Sequence, residues 1–201
     1  MVVLALDIST SAGYAVLRDG VLVCAGTIKS KKKIDEYGTY PYSYTKMAEY
    51  MAQAMYKKVL ATDPDVVVIE ETNKGKNRYT QKALEFMHLS ILTLLAQDKY
   101  MDRVKYVNTS DWRRMVGAQL NVDEKKQNTL LSKAKTKAKK NGVALDKKEL
   151  GIRGKITKKH VAIRVANAEF NLELRPKDDD IADAICMALA YTRGVAICDG
   201  H

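Results

Sequence analysis

The sequence predicts an α/β fold: a five-stranded mixed sheet, its first three strands antiparallel, with helices on both faces and a basic helical segment attached. Three observations lead there. Two short runs, Val2–Leu6 and Val66–Ile69, are apolar without alternation, the mark of strands covered on both faces. An Asp19-Gly20 turn joins two further strand-like runs. Helical and strand-like segments then alternate, so hairpin-linked strands precede a β-α-β-α series.

The first strand, Val2–Leu6, leads into the loop Asp7–Ala12, and Gly13–Leu17 and Val21–Ile28 flank the turn at Arg18-Asp19-Gly20. Lys29–Thr39 is polar and basic, hence a loop. Tyr42–Ala61 carries Met47, Met51, Met55 and Leu60 at helical spacing, a core stripe that ends before Asp63-Pro64. Asp65–Glu70 is the fourth strand, predicted parallel to the first, and Glu71–Tyr79 is a polar loop. The helix Thr80–Asp98 is apolar on almost every side, with Leu84, Phe86, Met87, Leu89, Ile91 and Leu92. One side can cover the sheet; the excess predicts a symmetry mate in a homodimer.

Val104–Val107 is the fifth strand, and Thr109 or Ser110 is expected to cap a short helix anchored by Trp112. Val122–Asn141 is Lys-rich, Gly142–Gly154 reads as a linker, and Lys155–Phe170 mixes basic residues with Val161, Ile163 and Val165. A last helix runs from about Asp180 to Arg193. Residues 119–156 come closest to low complexity and are expected to be partly disordered without a ligand.

At 201 residues the chain can bury one domain core. Cys24, Cys186 and Cys198 have no CxxC spacing and are odd in number, which argues against a disulfide framework or zinc site and for a reducing, cytoplasmic setting. No apolar stretch approaches about 18 residues, and no basic-then-apolar leader precedes the first strand, so neither a membrane span nor a secretory signal is expected. The net charge of +10 is concentrated: residues 113–164 hold 16 Lys or Arg against four acids, and the rest of the chain is near neutral. A near-neutral body with one strongly basic segment reads as a phosphate-binding attachment, the plainer alternative being a solvated helix surface.

Four acids stand in awkward places. Asp7 ends the first apolar run and Glu70 the fourth strand, while Asp180 and Asp183 open the apolar segment Ile181–Ala190. Parallel pairing of the first and fourth strands sets Asp7 beside Glu70, and a three-residue helical spacing puts Asp180 and Asp183 on one face. Four gathered carboxylates raise one another's pKa unless a cation neutralises them. An oxygen-only donor set suits Mg²⁺ or Mn²⁺, and two such ions about 4 Å apart serve in-line phosphodiester displacement. Asp7 is then the bridging ligand, Glu70 belongs mainly to one ion, and Asp180 and Asp183 to the other.

These residues resemble a known family. Asp7-Ile8-Ser9-Thr10-Ser11-Ala12-Gly13-Tyr14, Ile69-Glu70 and Asp180-Ile181-Ala182-Asp183-Ala184 are similar to the three motifs of RuvC-type Holliday junction resolvases of the ribonuclease H-like superfamily. Thr109-Ser110-Asp111-Trp112-Arg113 and Lys159–Phe170 resemble segments of their phage-encoded branch. The resemblance covers most of the chain, with an insertion at about 119–156. It implies a single ribonuclease H-like nuclease domain whose metal-binding and catalytic acids are Asp7, Glu70, Asp180 and Asp183. It also implies cleavage of branched DNA, and the bacterial host cytoplasm as the setting of a phage-encoded member. Many bacterial members place a junction-wedging aromatic three residues after the glutamate; Asn73 stands there here, with Tyr79 nearby. Asp178 and Asp179 crowd the third motif, leaving the register among three successive acids open.

Backbone phosphates are assigned to Lys29, Lys31–Lys33, Lys74, Lys76, Arg78, Arg113, Arg114, Lys155, Lys158 and Lys159, with the last three nearest the scissile bond. His88 reads as structural, and His160 as a phosphate contact. Two other classes compete. The Asp-x-Ser-x-x-x-Gly element also resembles the first phosphate loop of sugar kinases and actin-like ATPases, but no second such loop follows. A non-catalytic branched-DNA-binding protein would need the basic block and not the four acids.

Overall fold

The computed structural model describes residues 1–72, 78–142, 144, 152 and 154–195. Its strands are β1 (Val2–Asp7), β2 (Ser11–Arg18), β3 (Val21–Lys29), β4 (Val66–Glu70) and β5 (Val104–Val107). Its helices are α1 (Tyr42–Thr62), α2 (Arg78–Gln97), α3 (Thr109–Met115), α4 (Val122–Lys140), α5 (Lys158–Phe170) and α6 (Asp179–Thr192). The strands form one sheet in the order β3-β2-β1-β4-β5. β1 is antiparallel to β2 and β2 to β3, whereas β4 lies parallel to β1 and β5 parallel to β4. This is the expected mixed sheet.

The hairpin turn works as its residues suggest. Asp19 and Gly20 have φ of 50° and 81°, both positive, as a two-residue turn needs to follow the twist of its strands. Strand parity then sorts the core into two layers. Leu4, Leu6, Val67 and Ile69 pack with α1 and α2, while Val3, Ala5, Val66 and Val68 pack with α5 and α6. Because side chains alternate, Asp7 continues the series Val3-Ala5 and Glu70 continues Val66-Val68. Both acids therefore end their strands on the α6 face.

α6 can approach that face closely because it is built of small residues. Ala182, Ala184, Ala188 and Ala190 are fully buried where the helix packs on β1 and β2 and against α3 and α5. On the opposite layer α2 buries Ala83, Met87, Ile91 and Leu95 against α1, leaving Leu89 at 68% exposure. Among the described residues no helix is long and apolar enough to cross a membrane.

Three local expectations are corrected. The cap of α3 is Asn108, whose side chain accepts from the Ser110 amide at 2.8 Å, so neither Thr109 nor Ser110 serves. The loop after β3 contains a 3₁₀ turn at Ile34–Tyr37. The stretch Lys155–Phe170 is helical only from Lys158, so Lys158 and Lys159 form the first turn of α5, with Thr157 as the cap.

Residues 122–140, within the stretch expected to be partly disordered, form a 19-residue helix with an Asn121–Glu124 capping box. It is tied to the body at specific points. Asn128 donates to the Ile156 carbonyl at 2.7 Å and accepts from the Ile156 amide at 2.9 Å. Arg164 pairs with Glu124 at 2.5 Å, and Leu131 is buried. Of the linker 142–154, only Gly142, Ala144, Ile152 and Gly154 lie within the described residues.

Candidate active site

A cleft of about 1000 Å³ opens at the carboxyl ends of β1 and β4, and Asp7, Glu70, Asp180 and Asp183 all line it. Strand pairing delivers the first two: the β1–β4 ladder runs to Leu6↔Ile69, and the acids follow at the next step on the same face. Helix docking delivers the other two. Asp7 pairs across β1–β2 with Gly13, and the backbone carbonyl of Asp180 lies against that glycine. A Cβ at position 13 would meet the oxygen at 1.9 Å, so only glycine lets α6 begin this close to Asp7.

The electrostatics record the crowding. The Asp7 carboxyl is held well above its usual pKa, by burial first and then by Glu70, Asp183 and Asp180, with Lys159 opposing. Of the acidic run, Asp180 and Asp183 line the cleft and raise the Asp7 pKa, while Asp179 pairs with Lys159. Asp183 is pushed up to about 6, again by burial, although Arg113 pulls the other way. Arg113 donates to Asp183 Oδ2 at 2.7 Å. Asp183 Oδ1 is buried with no protein partner.

That orphan oxygen bears on the fit of a cation. A buried carboxylate oxygen without a donor is costly unless something positive reaches it, and Asp183 lines the cleft together with Asp7, Glu70, Glu71 and Asp180. Among the described residues no three His, Cys, Asp or Glu side chains close on one point as a finished ion cage. Arg113 and Lys159 hold part of the charge instead: Lys159 sits 2.7 Å from Asp179 and 3.3 Å from Asp180. Burial pulls the Lys159 pKa down, but the two aspartates outweigh it and the net shift is upward. The donors are all oxygens, and they fit a hard divalent ion.

The assigned phosphate contacts divide. Lys155, Lys158, Arg114 and Arg78 are exposed, and Lys29, Lys32 and Lys33 line the cleft. Arg114 also pairs with Asp111 at 2.5 Å. Lys74, Lys76 and Asn73 lie outside the described residues. Arg113 is a correction: it is 5% exposed and engaged with Asp183 and the Lys158 carbonyl, so it has no open surface for a backbone phosphate. The alternation Trp112-Arg113 on a short helix explains why. Trp112 and Arg113 are both buried and packed face to ring, with the guanidinium 4.1 Å from the indole centroid, so the helix turns both inward.

Two contributors were not legible in the sequence. Thr109, named only as a cap, donates its hydroxyl to Glu70. Gly13, quoted only as part of a motif, sets the seat of α6. His88 lines the cleft but its ring is bonded to the Tyr106 hydroxyl at 3.2 Å, and burial lowers its pKa to about 4, which keeps it neutral. His160 closes the Thr157 capping box, its ring accepting from the Thr157 amide at 3.1 Å.

No protein-family model matches the sequence, and no curated protein matches it. Solved structures do resemble the fold. Thermus thermophilus RuvC in complex with a Holliday junction substrate superposes with a TM-score of 0.62 at 12% identity, over 98% of this chain and 99% of that one. Another Thermus thermophilus RuvC structure gives 0.60 at 12% identity over the same shares. The yeast mitochondrial Holliday junction resolvase Ydc2 gives 0.50 at 13% identity, over 95% of this chain and 78% of that one. The sheet order, the helices on its two faces and these superpositions agree: the chain has the ribonuclease H-like α/β fold of RuvC.

Proposed function

We propose that the protein is a divalent-metal-dependent endonuclease that hydrolyses phosphodiester bonds in branched DNA, four-way Holliday junctions foremost. One observation carries the reading: three acids from distant parts of the chain bear on the Asp7 carboxyl at the mouth of a single cleft. Such a concentration of negative charge is destabilising in itself and is the usual signature of a functional site. The fold likeness to a protein solved with a Holliday junction substrate supports the choice of DNA.

Asp7, Glu70, Asp180 and Asp183 would hold two Mg²⁺ or Mn²⁺ ions, whose chemistry there would be activation of the attacking water and stabilisation of charge on the scissile phosphate and its leaving oxygen. The chain's own residues prepare this. Thr109 fixes the Glu70 carboxylate by its hydroxyl, and Arg113 fixes Asp183 through one oxygen while leaving the other open. Lys159 balances Asp179 and Asp180 and presents its ammonium at the cleft, where a phosphate can take it over. Lys32 and Lys33 on one side and Lys155 and Lys158 on another hold the strands by their backbone. The Lys-rich face of α4, with Lys133, Lys137 and Lys140, extends this field to the arms of the junction.

A homodimer is supported by α2, whose Leu89 stays exposed beyond the helix's contact with α1. Two active sites related by a two-fold axis match a junction that needs two cuts.

The deciding experiment compares four-way, three-way, flap and linear DNA, with Mg²⁺, Mn²⁺ or chelator, for the native chain and Asp7→Asn. Metal-dependent cutting of branched DNA that Asp7→Asn abolishes is the expected result. Cutting in chelator, or full activity of the variant, would refute the assignment. Light scattering that finds a monomer both free and on DNA would remove the dimer.

A further inference from the structure

The nuclease cleft has a flank that cutting alone does not require. Besides the acids it is lined by Ile34, Tyr44, Met47 and Leu84, members of one apolar cluster, and by Tyr79. The backbone of an intact duplex presents phosphates and sugars, which Lys29, Lys32 and Lys33 suit and this apolar flank does not.

The flank continues outward as an aromatic and basic rim. Tyr40 sits edge-on to Tyr44, with ring centroids 5.3 Å apart, and Tyr42 follows at the start of α1. Both are open to solvent, at 56% and 58%. Each ring carries an ammonium: Lys82 lies 4.8 Å from the Tyr40 centroid and Lys46 5.5 Å from that of Tyr42. Exposed aromatics beside lysines, in line with an apolar-sided cleft, form the combination that binds single-stranded nucleic acid. Bases stack on the rings while the cations track the phosphates.

The geometry points to a binding surface for unpaired nucleotides: Tyr40 and Tyr42 stack bases that have left the duplex next to the branch point, and the apolar flank receives them beside the acids. The preferred form of the substrate is therefore a branched DNA, the four-way junction included, that carries unpaired bases at its branch point. The inference rests on the nuclease reading for the identity of the cleft, but its test reads binding alone.

The test uses the full chain in chelator, so that no DNA is cut. Two probes are compared: a fully paired four-way junction, and the same junction carrying two unpaired nucleotides at the branch, one of them 2-aminopurine. Tighter binding of the second probe is expected, by about fivefold or more, the lower end of base–aromatic stacking, together with quenching of the 2-aminopurine. In Tyr40→Ala/Tyr42→Ala the preference and the quench disappear while binding of the paired junction stays. Because both tyrosines are largely exposed, that retained binding also reports an intact fold. Equal binding of the two probes by the native chain, or a preference that survives in the variant, overturns the inference. A chain that binds with the expected preference yet never cleaves with Mg²⁺ or Mn²⁺ instead overturns the nuclease reading.

Discussion

Gly13 and Asp180 touch where no side chain fits: a Cβ on Gly13 would lie 1.9 Å from the Asp180 carbonyl oxygen and 3.1 Å from the next amide nitrogen. The atoms in the way are backbone, at the first turn of α6, and cannot rotate aside. Gly13 is also the β2 partner of Asp7. One residue thus sets the distance between the acid on the central strand and the acids on the last helix.

Gly13→Ala is expected to lift the start of α6. Overpacking of this kind costs about 1–3 kcal/mol, and the displacement falls on Asp180 and Asp183. The variant should fold with a lowered melting temperature and lose far more cleavage than stability. Gly26→Ala is the control, because there the new Cβ meets the end of the Tyr14 ring at 2.9 Å, a side chain that can move. Melting curves and junction cleavage on both variants check the contrast; equal activity losses would refute it.

Removing a clustered carboxylate should stabilise the metal-free protein while disabling it. Burial and the neighbouring Glu70, Asp183 and Asp180 make ionising Asp7 costly, and the amide of Asp7→Asn has no charge to place there. A higher melting temperature in chelator is expected, with cleavage down about a hundredfold or more, given several kcal/mol of charge stabilisation by the bound ions. Junction binding in gel shifts should persist. A variant less stable than the native chain would show that the four acids do not repel one another.

The metal-free protein should lose stability as pH rises through the acid range. Asp183 has a folded pKa of about 6 against 3.8 for the free group. Between those values the folded state retains a proton that the unfolded chain has released, so stability falls from about pH 4 to about pH 6 and then levels. The shift corresponds to about 3 kcal/mol. Asp7 shifts in the same direction and adds to the slope. Mg²⁺ should therefore raise the melting temperature strongly at pH 7.5 and little at pH 4.5. Equal stabilisation at both pH values contradicts the prediction.

Arg113 should act on the pH profile of cleavage. It pulls the Asp183 pKa down, so Arg113→Ala lets burial push that pKa higher. The rising limb of the rate-against-pH curve is expected to move alkaline by about one unit, and the variant to lose about 3–5 kcal/mol at neutral pH from a buried charge left unpaired. Arg113→Lys should restore part of both. An unmoved limb would mean that Arg113 is only a packing residue.

The Lys-rich face of α4 should show in the salt dependence of binding. Lys133→Ala/Lys137→Ala/Lys140→Ala removes three cations from one face of a helix anchored by Leu131 and Asn128. If each holds one phosphate, the log–log salt slope falls by about 3, at about 0.9 per contact. An unchanged slope in anisotropy titrations would mark the face as a solvated surface.

The sequence by itself determined the sheet and the acids that end its strands. Continuous apolar runs with Asp7 and Glu70 at their carboxyl ends report burial on two faces and a polar rim, and those are local facts of hydrophobic pattern. The three-residue spacing of Asp180 and Asp183 is equally local. What the sequence left open were contacts between segments far apart in the chain. Asp180 is distinguished from Asp179 by the seat of α6 on Gly13, which spacing along one helix does not reveal. Arg113 reads as one more cation in a basic block until α3 turns it inward against Asp183, 70 residues away. Thr109 passes for a helix cap until strand pairing brings Glu70 to its hydroxyl. Periodicity tells which face a residue takes within its own element; only the packed structure decides which residues meet across elements, and that decides the charge of the site.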